Sequence, residues 1–65
     1  MSMAAGLNIG KRTIELDGIT IEAAVISAGE HPDAFLFLLN GRPIPMTTVP
    51  KDGEVIEAIR VASGG

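Results

Sequence analysis

No cysteine occurs in this chain of 65 residues, and that absence narrows the folds open to it more than any other feature. A domain of this size buries only about 60% of the surface its unfolded chain exposes. Many such domains compensate with disulfides or a thiolate-held metal. Here apolar packing alone must hold one domain together, and the length leaves no room for a second. Apolar residues make up 46% of the chain and aromatics only 3%, the two phenylalanines, so the core must be aliphatic. The lack of thiols also excludes iron–sulfur centres and cysteine nucleophiles. Eight acidic against five basic residues give a net charge of −3, the wrong sign for a surface that tracks phosphates, so no nucleic-acid partner is expected. No apolar run approaches the ~20 residues of a membrane span, and Met1 to Gly6 lacks the charged and long apolar segments of a secretory signal. The expectation is a cytoplasmic protein with no membrane partner.

Periodicity divides the chain into short elements. Leu7-Asn8-Ile9 alternates apolar and polar, Gly10-Lys11-Arg12 reads as a tight turn, and Thr13-Ile14-Glu15-Leu16 has the period-two pattern of a half-buried strand. A hairpin ending at Asp17-Gly18 is expected. Ile21, Ala24, Val25 and Ala28 then fall at i, i+3, i+4 and i+7, the stripe of an amphipathic helix. Thr20 is placed to cap its start, Glu22 lies in the first turn, Gly29 suits C′ and Pro32 prevents continuation. The β-branched residues lower helix propensity, so about two to three turns held by packing are expected. Ala34 to Leu39 is a continuous apolar run closed by Asn40-Gly41, too short for a typical helix, and reads as the central strand. Arg42-Pro43-Ile44-Pro45-Met46 reads as an edge strand or extended loop because proline donates no ladder bond. Pro50-Lys51-Asp52-Gly53 reads as a turn and Glu54 to Ala62 as the last strand.

This order predicts an α+β domain with one main helix across one face of a small mixed sheet of four to five strands. If Phe35, Phe37 and Leu39 meet the helix, Leu36 and Leu38 must face away. In the last strand Ile56 and Ala58 then point in, and Val55, Ile59 and Val61 point out. Leu36, Leu38, Val55, Ile59 and Val61 thus form a candidate partner-binding patch on a face with no element left to cover it; an inverted register or homodimerisation are the blander explanations.

Residues suited to catalysis are sparse. His31, the only imidazole, sits beside Glu30 and Pro32 in a loop, and no second soft ligand for zinc accompanies it. Glu15 and Asp17 share a strand face but read as solvated charge beside a turn. No nucleophile elbow, phosphate-binding loop or dinucleotide fingerprint is present. The expectation is therefore no enzyme, no catalytic residue, no metal and no bound cofactor. What stands out is Gly64-Gly65. Two residues without Cβ can thread a narrow slot and leave the carbonyl uncrowded. A free α-carboxylate there is ionised at neutral pH and a poor electrophile. ATP can activate it as an acyl-adenylate open to attack by sulfur or an amine. Read alone, the pair is equally a flexible terminus.

Leu39-Asn40-Gly41-Arg42-Pro43-Ile44-Pro45, then Lys51-Asp52-Gly53-Glu54-Val55-Ile56-Glu57 and Arg60-Val61-Ala62-Ser63-Gly64-Gly65, together resemble the ThiS/MoaD sulfur-carrier family and, through NGRPIP, the small archaeal modifier proteins (SAMP). The resemblance covers roughly residues 20 to 65. Each motif is common; their order is more specific. The resemblance implies a ubiquitin-like β-grasp domain over residues 1–62 and a flexible tail over 63–65. It further implies activation of Gly65 by an E1-like adenylating enzyme that uses ATP, and conversion to a thiocarboxylate or an isopeptide bond. Ser63 and Gly64 form the tail, and the outer patch docks the enzyme. Partners would be that enzyme with sulfur donor and acceptor enzymes or target-protein lysines, the free protein being a monomer. Departures from the family are a weak first strand and Met46-Thr47-Thr48-Val49, less acidic than expected. The alternative from another class is a β-grasp interaction module with an incidental Gly-Gly.

Overall fold

Alternating side chains build the first hairpin. In the computed structural model, which describes residues 4–61, strands β1 (Ala5–Ile9) and β2 (Arg12–Leu16) pair antiparallel around the two-residue turn Gly10-Lys11. Ala5, Leu7, Ile9 and Leu16 are buried, whereas Thr13 and Glu15 are exposed. β1 begins two residues before its expected start. Ala5 and Gly6 pair with Leu16 and Glu15, and the Gly6 N–H donates to the Glu54 carbonyl at 2.9 Å.

Helix α1 (Ile21–Ser27) follows, about two turns long. Both ends are satisfied as their residues dictate. The Thr20 hydroxyl accepts from the Ala23 N–H at 3.0 Å. The N–H groups of Ile21 and Glu22 donate to the carbonyls of Thr48 and Met46 at 3.0 and 2.9 Å, so the proline-rich crossover closes the helix start. At the other end Gly29 takes φ 83°; its N–H donates to Ile26 and that of Glu30 to Val25, a Schellman motif. The Arg12 guanidinium adds a bond to the Ala28 carbonyl at 3.2 Å, a cation at the negative end of the helix.

A single 3-10 turn at Pro32–Ala34 precedes β3 (Phe35–Leu39), so the apolar run enters the sheet one residue later than expected. Proline's fixed φ suits the first position of that turn. Asn40 and Gly41, at φ 54° and 80°, form the two-residue turn into β4 (Arg42–Ile44). Positive φ at both positions is the type I′ pattern that Asn-Gly favours. Finally β5 (Val55–Arg60) starts after Glu54. The Glu54 side chain accepts from the Lys51 N–H at 2.8 Å and its own N–H donates to the Lys51 carbonyl, which commits it to the turn rather than the strand.

The strands lie in the order β2-β1-β5-β3-β4, with β1 and β5 parallel and the other neighbours antiparallel. One helix on one face of this mixed five-stranded sheet is an α+β arrangement. Ile21, Ala24 and Val25 of α1 are buried with Leu7, Leu16, Phe35, Phe37 and Ile56 of the sheet. Register aligns Ile9, Ala58, Phe37 and Ile44 across four strands, the small Ala58 lying between two bulky neighbours. The rings of Phe35 and Phe37 lie 6.2 Å apart. Phe37→Ala should therefore cost about 3–5 kcal/mol, a large part of the stability of so small a domain. Urea unfolding measures it, and a loss below about 1 kcal/mol would contradict burial of that ring.

Candidate functional site

The helix covers one face of the sheet and leaves the other to solvent, and register decides what that open face shows. Leu36 sits beside Ile59, and Leu38 between Glu57 and Pro43. Leu36 is 42% exposed, Ile59 48%, Val61 39% and Val55 51%. All five expected residues thus lie on the open side, and the expected inward set of Phe35, Phe37, Leu39, Ile56 and Ala58 packs with the core. Leu38 is half-buried, its sides covered by its cross-strand neighbours.

These residues do not form one continuous patch. Glu57 lies between Val55 and Ile59 on the same side of β5, and the Asn8 amide donates to its carboxylate at 3.3 Å. The Thr13 hydroxyl in turn donates to the Asn8 side-chain oxygen at 3.0 Å. Thr13, Asn8 and Glu57 therefore make a polar row across β2, β1 and β5. Val55 lies on one side of it, beside Gly6. Leu38 and exposed Pro43 continue the same row onto β3 and β4, and Leu36 and Ile59 lie on its far side with Val61 beyond them. Pro43 was not among the expected patch residues, although its position three residues after Asn40 fixes its side once the hairpin is recognised. Glu57 was legible from period two within the last strand alone.

Where β5 ends, charge takes over. Arg60 points to the helix side, its guanidinium 4.8 Å from the centre of the Phe35 ring. Glu30 faces both Arg60 and Arg12, at 3.8 and 3.4 Å. Both pairs are exposed, so each contributes little to stability. Glu30, Phe35 and Arg60 line a recess of about 160 Å³ with Ile9, Gly10 and Ala58. Beyond Arg60, the Val61 N–H donates to the Ala34 carbonyl at 3.0 Å, which continues the pairing by one residue. Ser63, Gly64 and Gly65 lie outside the described residues. His31 is exposed at the start of the 3-10 turn, and Glu15 and Asp17 are exposed at the end of the first hairpin.

Comparison with protein-family models, with curated proteins and with solved structures finds no match for this chain.

The two faces should respond oppositely to the same substitution. Ile59→Glu should change unfolding free energy by no more than about 0.5 kcal/mol. Ile56→Glu, which puts a carboxylate where the side chain is wholly enclosed, should cost several kcal/mol or abolish folding. Circular dichroism with denaturant titration of both variants checks the assignment of faces.

Proposed function

We propose that this chain is a ubiquitin-like carrier of the β-grasp type whose Gly65 carboxylate is activated by an E1-like adenylating enzyme, the chain itself being no enzyme. Strand order supports the fold reading. A leading hairpin, a helix crossing one face, and a last strand inserted in parallel beside the first are the layout of a β-grasp.

The observation that carries the functional reading is the course of β5. It runs through the middle of the sheet, and Val61 is still paired to Ala34 three residues before Gly64. The backbone is thereby held in the sheet up to Val61. Four residues would reach about 13 Å beyond Val61 if fully extended, enough to enter a slot on an enzyme docked against the open face.

The chemistry needs only the terminal carboxylate. One of its oxygens attacks the α-phosphorus of ATP, pyrophosphate leaves, and an acyl-adenylate forms. Hydrosulfide displacing AMP gives a thiocarboxylate; its sulfur attacks an activated carbon of an acceptor such as a tRNA base or a thiamine or molybdopterin precursor, and water then cleaves the thioester, leaving sulfur on the acceptor and returning the carboxylate. A lysine amine displacing AMP gives an isopeptide bond. ATP serves the enzyme and is not held by this chain. The docking surface is Leu36, Leu38, Ile59 and Val61, with Val55 across Glu57 as a separate contact. A cytoplasmic setting, where ATP is plentiful, suits both fates.

Gly64→Ala or Gly65→Ala should leave the melting curve unchanged and sharply reduce adenylation, because a methyl beside the carbonyl obstructs a slot shaped for bare backbone. Adenylation with ATP and the cognate enzyme measures this; undiminished turnover in both variants would refute the reading. Intact mass of the protein from its native cell, searched for oxygen-to-sulfur exchange or a branched peptide at Gly65, separates the two fates. An interaction module with an incidental Gly-Gly would show neither. Leu36→Glu should weaken docking by about 10- to 100-fold, the loss of one fully enclosed aliphatic side chain, with folding retained.

A further inference from the structure

The two edges of the sheet are built differently. Two-residue turns place the flanking residues in hydrogen-bonded pairs, so in β4 Arg42 bonds to Leu39 and Pro43 turns its backbone nitrogen outward. That nitrogen carries no hydrogen, which blunts the β4 edge against further pairing. At the opposite edge, Arg12, Ile14 and Leu16 bond inward to β1, leaving the N–H and C=O groups of Thr13 and Glu15 pointing out. Among the described residues no strand lies beyond β2. Next to this edge, between β2 and α1, runs an open groove of about 420 Å³ lined by Ile14, Ile19, Ala24 and Ala28 among others.

Charge along β2 says what fits there. Lys11 precedes the strand and Asp17 follows it, both exposed. A strand of the same sequence running antiparallel brings Lys11 opposite Asp17 twice over. The same alignment puts Thr13 opposite Glu15, so the outward backbone groups of one copy meet those of the other and exchange both N–H···O bonds. Ile14 meets its own counterpart on the two-fold axis in a non-hydrogen-bonded pair, where side chains approach most closely. Backbone register, charge and apolar contact thus all agree on one alignment. We propose that β2 pairs antiparallel with β2 of a second copy, centred on Ile14, joining two five-stranded sheets into one. The contact is small beside those of permanent dimers, so the assembly is weak and populated at high protein concentration. It lies at the edge remote from Leu36 and Ile59 and does not rest on the carrier reading.

Sedimentation of the full chain over rising concentration tests this. The apparent mass should climb from 6.7 kDa for one chain toward that of two. Lys11→Glu alone and Asp17→Lys alone should abolish the rise, and the two together should restore it, since the pair is then re-formed with its signs exchanged. Both residues are exposed, so folding is not at stake. As the chain has no cysteine, Ile14→Cys provides a unique thiol on the axis, at a separation suited to a disulfide. It should cross-link on mild oxidation in preference to Thr13→Cys. A single-chain mass up to about 1 mM, single charge reversals without effect, or equal cross-linking at both cysteines would overturn the proposal. So would a dimer lost in Ile59→Glu, which would assign the contact to the open face.

Discussion

The insertion of β5 between β1 and β3 is the constraint on which the rest of the structure depends. Before it arrives, the β1–β2 and β3–β4 hairpins have no shared edge, and the helix has no continuous surface to cover. Ile56, opposite Leu7 on one side and Leu39 on the other, joins the two halves and is wholly enclosed. The pairing spans almost the whole chain, so its loop-closure entropy must be met before any of its contacts form. With no covalent staple, cooperativity between this strand and the helix-facing residues takes the place of a disulfide. The same insertion explains why the chain leaves the sheet at its middle rather than at an edge.

A single helix then covers only one side. β3 and, apart from Glu57, β5 are apolar on both faces, and their uncovered apolar side chains persist at the surface as Leu36 and Ile59, continued by Val61. The polar row of Thr13, Asn8 and Glu57 limits how far that surface extends. It satisfies its own side-chain groups by hydrogen bonding across three strands, so the β2–β1 half of the open face is finished with respect to solvent. The β3–β4 half is not. A partner approaching this face therefore meets a surface divided into a self-satisfied polar half and an unsatisfied apolar half, which favours one orientation over its reverse.

Much of this was legible from residue spacing. Thr20, Gly29 and the helical stripe fixed α1 because capping and periodicity are local. Alternation assigned the faces of β3 and β5 because a step of one residue reverses a side chain. Local pattern could not reveal which strands pair. Ala5 and Gly6 carry little strand propensity and become strand only through Leu16, Glu15 and Val55, and Glu54 leaves the last strand because its carboxylate closes a turn on Lys51. Half-burial of Leu38 comes from Pro43 and Glu57, neighbours in space set by two separate registers. Gly64-Gly65 was conspicuous in sequence for the opposite reason: two residues without side chains are noticed from the sequence itself and not from packing.

Register also separates the consequences of change within a single strand. Along β5, Ile56 and Ala58 belong to the core, while Val55 and Ile59, and Val61 just beyond the strand, belong to the surface. Phe37 stabilises the fold and its neighbour Leu36 does not need to. Stability and surface character therefore rest on interleaved positions that share a backbone but not an environment. A strand can keep its inward set fixed and vary its outward set without loss of the fold. The limit lies at Arg60, which points inward at the strand's end, covers Phe35 and faces Glu30. There the inward set reaches solvent. A change at Arg60 would alter the packing of Phe35 and the charge facing Glu30 together, so among the inward-pointing residues of β5 it is the one whose effect on the core is also an effect on the surface.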